Sequence, residues 1–223
     1  MSHDTTIGLI SGTGEEGRGI ALRLAAAGLQ IYLGSRSEEK ALEGAQELNQ
    51  VIGQNLILGA DNHDLIEKCN ILFLTIPFIY ADAVLEKHRN QFKAHHVLVD
   101  VTVPVVFDKG PQLLDLEEGS GAEYIRQRVP SDTPIVAAFK TLPAHLLAEH
   151  HLTLDCDEFL CSDSKEAKEQ VQSILEKIPT VRWIDGGPLK YCRALEAMTF
   201  LAIGINRRFK IKASRFHLLG LED

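Results

Sequence analysis

The run Gly12-Thr13-Gly14-Glu15-Glu16-Gly17 lies between an apolar stretch at residues 5–10 and a helix-periodic stretch at 17–27, and it constrains the chain more than any other feature. The pattern GxGxxG between a strand and a helix marks a dinucleotide-binding βαβ unit. Its glycines let the backbone turn tightly and approach a pyrophosphate. The helix that follows offers free N–H groups and the positive end of its dipole. Two carboxylates, Glu15 and Glu16, sit where phosphates should bind. Acids favour a helix N-terminus, so both side chains are expected to point to solvent while the backbone does the binding.

The end of the second expected strand then selects the dinucleotide. An NAD site places an Asp or Glu there to take the ribose 2′-hydroxyl. This chain has Gly34-Ser35-Arg36, with Lys40 one turn further on. Two cations and a hydroxyl in place of an acid form a cradle for a 2′-phosphate, so the expected cofactor is NADP(H).

Beyond residue 27, apolar runs and helix-periodic stretches alternate, as in a parallel sheet covered by helices. Strands are expected at 29–34, 55–58, 71–76, 96–100, 135–138, 158–161 and 181–184. Helices are expected at 38–48, 64–69, 81–91, 122–129, 165–178 and 190–211. Ser35 with Glu38, and Asp163 with Glu166, have capping-box spacing. Residues 109–121 are rich in turn formers and read as a loop. The fold class is therefore α/β: a Rossmann-type doubly wound parallel sheet with a smaller, tightly packed C-terminal α/β extension. The expected division is an NADP(H)-binding domain over residues 1–145 and a smaller domain over 146–223 that ends in a long helix.

A formal net charge of −8 argues against a nucleic-acid partner. No apolar run reaches the roughly 18 residues of a membrane span. Met1-Ser2-His3-Asp4 lacks a signal-peptide core, and the four cysteines are scattered outside any common zinc spacing. The pairs His95/His96 and His150/His151 each split between two faces, so no metal site is expected. A reducing, cytoplasmic setting follows.

With these residues in place the chain resembles the NADPH-dependent reductases of the deazaflavin coenzyme F-420. The resemblance covers Gly19-Ile20-Ala21-Leu22-Arg23-Leu24-Ala25, Gly34-Ser35-Arg36-Ser37-Glu38-Glu39-Lys40 and Leu74-Thr75-Ile76-Pro77-Phe78. It continues through Val103-Pro104, Thr141-Leu142-Pro143-Ala144, Asp185-Gly186-Gly187-Pro188-Leu189 and Asn206-Arg207-Arg208-Phe209-Lys210. It implies that Thr13, Gly14, Glu15 and Glu16 bind the pyrophosphate and that Ser35, Arg36 and Lys40 hold the 2′-phosphate. It also implies that Phe78, Val103 and Ala144 lie along the cofactor, with residues 141–144 near the nicotinamide. It further implies a homodimer, the typical state of that family, with the C-terminal helices contributing to the interface.

Hydride exchange between nicotinamide and deazaflavin needs no strong acid or base from the protein, so no catalytic side chain is expected. None of the four tyrosines has a lysine four residues on, which sets aside short-chain dehydrogenase chemistry. One departure stands out: where archaeal members resemble Ala-Leu-His-Thr-Ile-Pro-Ala, this chain has Lys140 in place of the histidine. Lys140 could neutralise charge developing on the acceptor, or it could tie down a loop through an ion pair. Two other readings stay open: an NADPH-dependent reductase of another small acceptor, such as a flavin or a pyrroline-like imine, and a non-catalytic NADP(H)-binding module.

Overall fold

The structure, a computed structural model, describes residues 5–221. Met1-Ser2-His3-Asp4, and with them the expectation about a leader segment, lie outside those residues. Strands β1 (Ile7–Ile10), β2 (Ile31–Ser35), β3 (Ile57–Asp61), β4 (Ile71–Leu74) and β5 (Val97–Asp100) alternate with helices α1 (Glu15–Ala26), α2 (Glu38–Ile52), α3 (Asn62–Lys68) and α4 (Ala81–His88). A short antiparallel pair follows, β6 (Val105–Phe107) and β7 (Pro111–Leu113). Next come α5 (Gly121–Arg126), β8 (Ile135–Ala137), α6 (Ala144–Ala148), β9 (Cys156–Cys161), α7 (Lys165–Leu175), β10 (Val181–Gly187) and α8 (Cys192–Phe209).

Eight strands form one sheet in the order β10-β9-β8-β5-β4-β1-β2-β3. The six from β3 to β8 are parallel, in the doubly wound dinucleotide-fold order. β9 joins β8 antiparallel through the pair Ala137 and Cys161, and β10 runs parallel to β9. The expected C-terminal extension thus prolongs the same sheet. Strands β1, β4 and β5 are buried at every position, as central parallel strands covered on both faces must be. On one face, Leu24, Leu48, Leu147 and Leu175 bring α1, α2, α6 and α7 into a single apolar core. On the other, Leu65, Leu85, Ile125 and Leu195 do the same for α3, α4, α5 and α8.

Several local expectations need correction. Residues 109–121 are not all loop, because Pro111–Leu113 pairs with Val105–Phe107. α2 runs to Ile52 and stops where Gly53 turns left-handed (φ 67°), which moves the third strand to Ile57–Asp61. α2 is capped at Ser37, while the Ser35 hydroxyl accepts from Ser37 N–H. α7 is capped by Ser164, which accepts from Ala167 N–H. Asp163 instead accepts from Leu189 N–H across the fold.

The segment after β8 is bound to α1 by a buried cation. The Arg23 guanidinium donates to the carbonyls of Leu146, Leu147, Glu149, His150 and Leu152 at 2.7–3.1 Å. Those carbonyls come from the end of α6 and the turn after it, where a helix leaves its last carbonyls without intrahelical donors, and one fork of five donors reaches them all. Arg23, read from sequence only as part of a resemblance, thereby fixes α6 beside the glycine loop.

Candidate dinucleotide site

The site lies along the carboxyl edge of the parallel strands, where ligands bind in open α/β sheets. A cavity of about 920 Å³ opens there, lined on one side by Ser11, Thr13, Ser35, Arg36 and Lys40, and on the other by Tyr80, Ala83, Val84 and Lys87. That volume lies within the range of small-molecule and cofactor clefts.

The glycine loop owes its shape to close backbone approach. A Cβ on Gly17 would stand 2.5 Å from Gly12 Cα and from the Gly12 carbonyl oxygen, both backbone atoms that cannot swing aside. Gly17→Ala is therefore expected to destabilise the chain by about 1–3 kcal/mol, as overpacking does. It should also weaken dinucleotide binding, read together as a lowered urea midpoint and a raised dissociation constant. Gly14 is the N-cap of α1, with extended backbone and no side chain to occupy the amide end of the helix. Ser11, at φ 59°, is held by Asn62, whose Oδ1 accepts from Ser11 N–H at 2.9 Å and whose Nδ2 donates to Ser11 Oγ at 3.0 Å. Gly34 makes room for Asn62, since a Cβ there would meet Asn62 Oδ1 at 2.6 Å and Leu9 O at 2.7 Å.

Of the residues singled out in the sequence, Thr13, Ser35, Arg36 and Lys40 line this one cavity. Gly14 and Glu15 lie exposed at the start of α1. Val103, after β5, and Ala144, at the head of α6, are half-buried at the same carboxyl edge but outside the lining. Phe78 lies between the lining residues Pro77 and Tyr80 but outside the lining itself. It is 7% exposed and packs its ring 5.0 Å from that of Tyr124. Sequence reasoning missed Asn62 and the face of α4. Ala83, Val84 and Lys87 recur at helical spacing, but nothing in the sequence shows which side of that helix meets the cleft.

Glu16 does not behave as expected. Its carboxyl turns inward, with Oε1 shut away from solvent and without a hydrogen-bond partner. Burial, then the charges of Glu158 and Glu15, push its pKa up to about 8. Glu158 on β9 is 1% exposed and accepts from Thr141 N–H at 3.1 Å and from the Thr141 hydroxyl. Burial raises it to about 7 against those hydrogen bonds.

Lys140 is a structural cation. It is 1% exposed, with Nζ 2.7 Å from Asp100 Oδ2, 3.7 Å from Glu196 Oε1 and bonded to the Thr102 carbonyl. Burial alone would lower its ammonium pKa, but Asp100 and then Glu196 hold it above the ordinary value. Of the two roles open to Lys140, the structure selects the ion pair that ties down a loop.

Among the described residues, no group of three His, Cys, Asp or Glu is arranged to hold a metal ion, and no helix is long and apolar enough to cross a membrane.

Comparison with known proteins matches residues 6–104 to the family model for NADP oxidoreductase, coenzyme F-420-dependent. The F-420-dependent NADP reductase of Methanocaldococcus jannaschii is 33% identical over 97% of this chain and 99% of its own. The protein of the same name from Methanothermobacter thermautotrophicus is 34% identical over 97% of this chain and 96% of its own. Among solved structures, one titled a putative F-420-dependent NADP-reductase from an Arthrobacter species superposes with a TM-score of 0.81 at 21% identity. It covers 97% of this chain and 100% of that one, and it establishes the shared fold.

Proposed function

Because the chain belongs to the coenzyme F-420-dependent NADP oxidoreductase family, we infer that it passes a hydride directly between NADP(H) and the deazaflavin coenzyme F-420. The observation that carries the reading is the continuous cavity from Thr13 of the glycine loop to Ser35, Arg36 and Lys40. Its shape suits an extended dinucleotide, and its far end suits a dianionic 2′-phosphate.

In this reading the amides of residues 13–16 take the pyrophosphate at the head of α1, with the helix dipole behind them. Arg36 and Lys40 supply charge and Ser35 a hydroxyl to the 2′-phosphate. Phe78, Val103 and Ala144 border the cofactor along the carboxyl edge, and residues 141–144 lie beside the nicotinamide. The two cofactors carry the redox chemistry; the protein holds the rings at transfer distance and keeps water out. No side chain is needed as acid or base at the transferring carbon.

The exposed apolar residues Phe200, Leu201 and Phe209 on α8 support a homodimer built on this helix. The four free, buried cysteines fit a cytoplasmic setting. The net charge of −8 supports a role without a nucleic-acid partner. To test the function, the protein is mixed with NADPH and oxidised F-420. Rapid bleaching of the deazaflavin, with NADH far poorer, is expected. NADPH binding without bleaching would favour a flavin or imine as the acceptor.

A further inference from the structure

Two carboxyls with oxygens shut from solvent lie near Thr141, Glu158 bonded to it and Glu16 close enough to feel the Glu158 charge, and hydride exchange as described leaves both side chains without a role. Glu16 enters from the first turn of α1, Glu158 from β9, and each keeps one oxygen, Oε1 and Oε2 respectively, out of solvent and without a hydrogen-bond partner. The other Glu158 oxygen grips both the amide and the hydroxyl of Thr141. The two elements meet here because α1 packs on α6, with the Gly19 backbone against the Ala144 carbonyl.

We propose that Glu16 and Glu158 act as a positioning pair that holds Thr141 in place, carries a proton while the nicotinamide ring is neutral, and gives that proton up to solvent when the ring is cationic. This rests on the reading that residues 141–144 border the nicotinamide.

The physical case begins with desolvation. Two ionised carboxylates in a dry pocket repel each other and lack solvation, so one stays neutral. The pKa values of about 8 and about 7 place that proton on the pair near neutral pH. The other ionisable groups near the pair are Glu15 beside Glu16 and the Cys156 thiol beside Glu158, with His145 on the packed helix α6. The remaining charges on these elements are engaged elsewhere. Arg18 pairs with Glu47, Arg23 serves five carbonyls, Asp157 pairs with Arg182 and Lys140 pairs with Asp100. Among the described residues no cation is ion-paired with either carboxyl, and the oxidised nicotinamide would add a positive ring beside them.

The sign follows. A neighbouring ring cation stabilises the anionic pair, so NADP⁺ binding releases a proton and NADPH binding does not. Raising the pH through the range in which the pair ionises should then favour NADP⁺ over NADPH. Both cofactors carry the same 2′-phosphate and meet the same Arg36 and Lys40, so the ratio of their dissociation constants cancels the titration of those groups.

The test measures NADPH and NADP⁺ dissociation constants by calorimetry on the full chain between about pH 6 and about pH 9, for wild type, Glu158→Gln and Glu16→Gln. Wild type is expected to shift its preference toward NADP⁺ by on the order of tenfold across that range, with up to about half a proton released on NADP⁺ binding near neutrality. Both variants should give a flat ratio, with Glu158→Gln still binding NADPH because glutamine keeps an acceptor for Thr141. A flat ratio in wild type, or one unchanged in both variants, overturns the proposal. Loss of all dinucleotide binding in wild type would instead sink the cofactor reading on which it rests.

Discussion

Lys140→Met is expected to destabilise the fold by about 3–5 kcal/mol, the cost of leaving a buried charge without its partner. Asp100, Lys140 and Glu196 sit together out of solvent, and the ammonium is the cation against which both carboxylates are set. Asp100 Oδ1 also accepts from the Thr102 amide at 2.9 Å and hydroxyl at 2.8 Å, and Glu196 Oε2 accepts from Gly121 N–H at 3.0 Å. The cluster thereby joins the end of β5, the segment after β8, the start of α5 and the helix α8. Methionine matches the stem in volume but removes the charge, so cavity formation contributes little. Urea unfolding should show the midpoint falling with an unchanged slope. Adding Asp100→Asn to Lys140→Met should recover part of the loss, because one of the two orphaned carboxylates is then gone. An unchanged midpoint in the single variant would mean that Lys140 is not the counter-ion described here.

Arg36→Glu is the second large effect, and it falls on binding rather than folding. Arg36 is exposed on the cavity rim, away from the core, so stability should hardly move. A charged hydrogen bond to a phosphate contributes about 1.5–3 kcal/mol, and reversal adds repulsion to its loss. NADPH affinity should therefore fall on the order of a hundredfold. NADH, which has no 2′-phosphate, should bind about as it did before. A loss shared equally by both cofactors would point to a collapsed site, and no loss at all would remove Arg36 from the 2′-phosphate cradle.

These two residues also show what the sequence could and could not reveal. That Ser35, Arg36 and Lys40 would share one cavity was legible because they are local: they lie at the end of one strand and in the first turn of the helix after it, and their side-chain chemistry is distinctive. The sheet was legible too, since strands buried on both faces must be apolar throughout, and Ile71–Leu74 is. Lys140 was visible only as a departure from a pattern. Its counter-ion Asp100 closes a strand of otherwise apolar residues, and Glu196 is separated from it by two strands and several helices. Glu16 misled for the same reason. A carboxylate in the first turn of a helix usually faces water, and only the placement of Glu158 and Thr141 shows why this one turns inward. The β6–β7 pair escaped because three-residue strands are too short to carry a period, and the cap of α7 because Ser164 and Asp163 are neighbours with equal capping chemistry.

The central claim is direct passage of a hydride between two bound cofactors, and an isotope label tests it most plainly. NADPH deuterated at the transferring carbon of the nicotinamide is used to reduce F-420 in ordinary water, and the reduced deazaflavin is then examined by mass spectrometry. Direct transfer predicts that one of the two labelled epimers delivers its deuterium to the deazaflavin almost completely, while the other retains it. Label washed out into water, or NADPH that binds without reducing F-420 at all, would contradict the account.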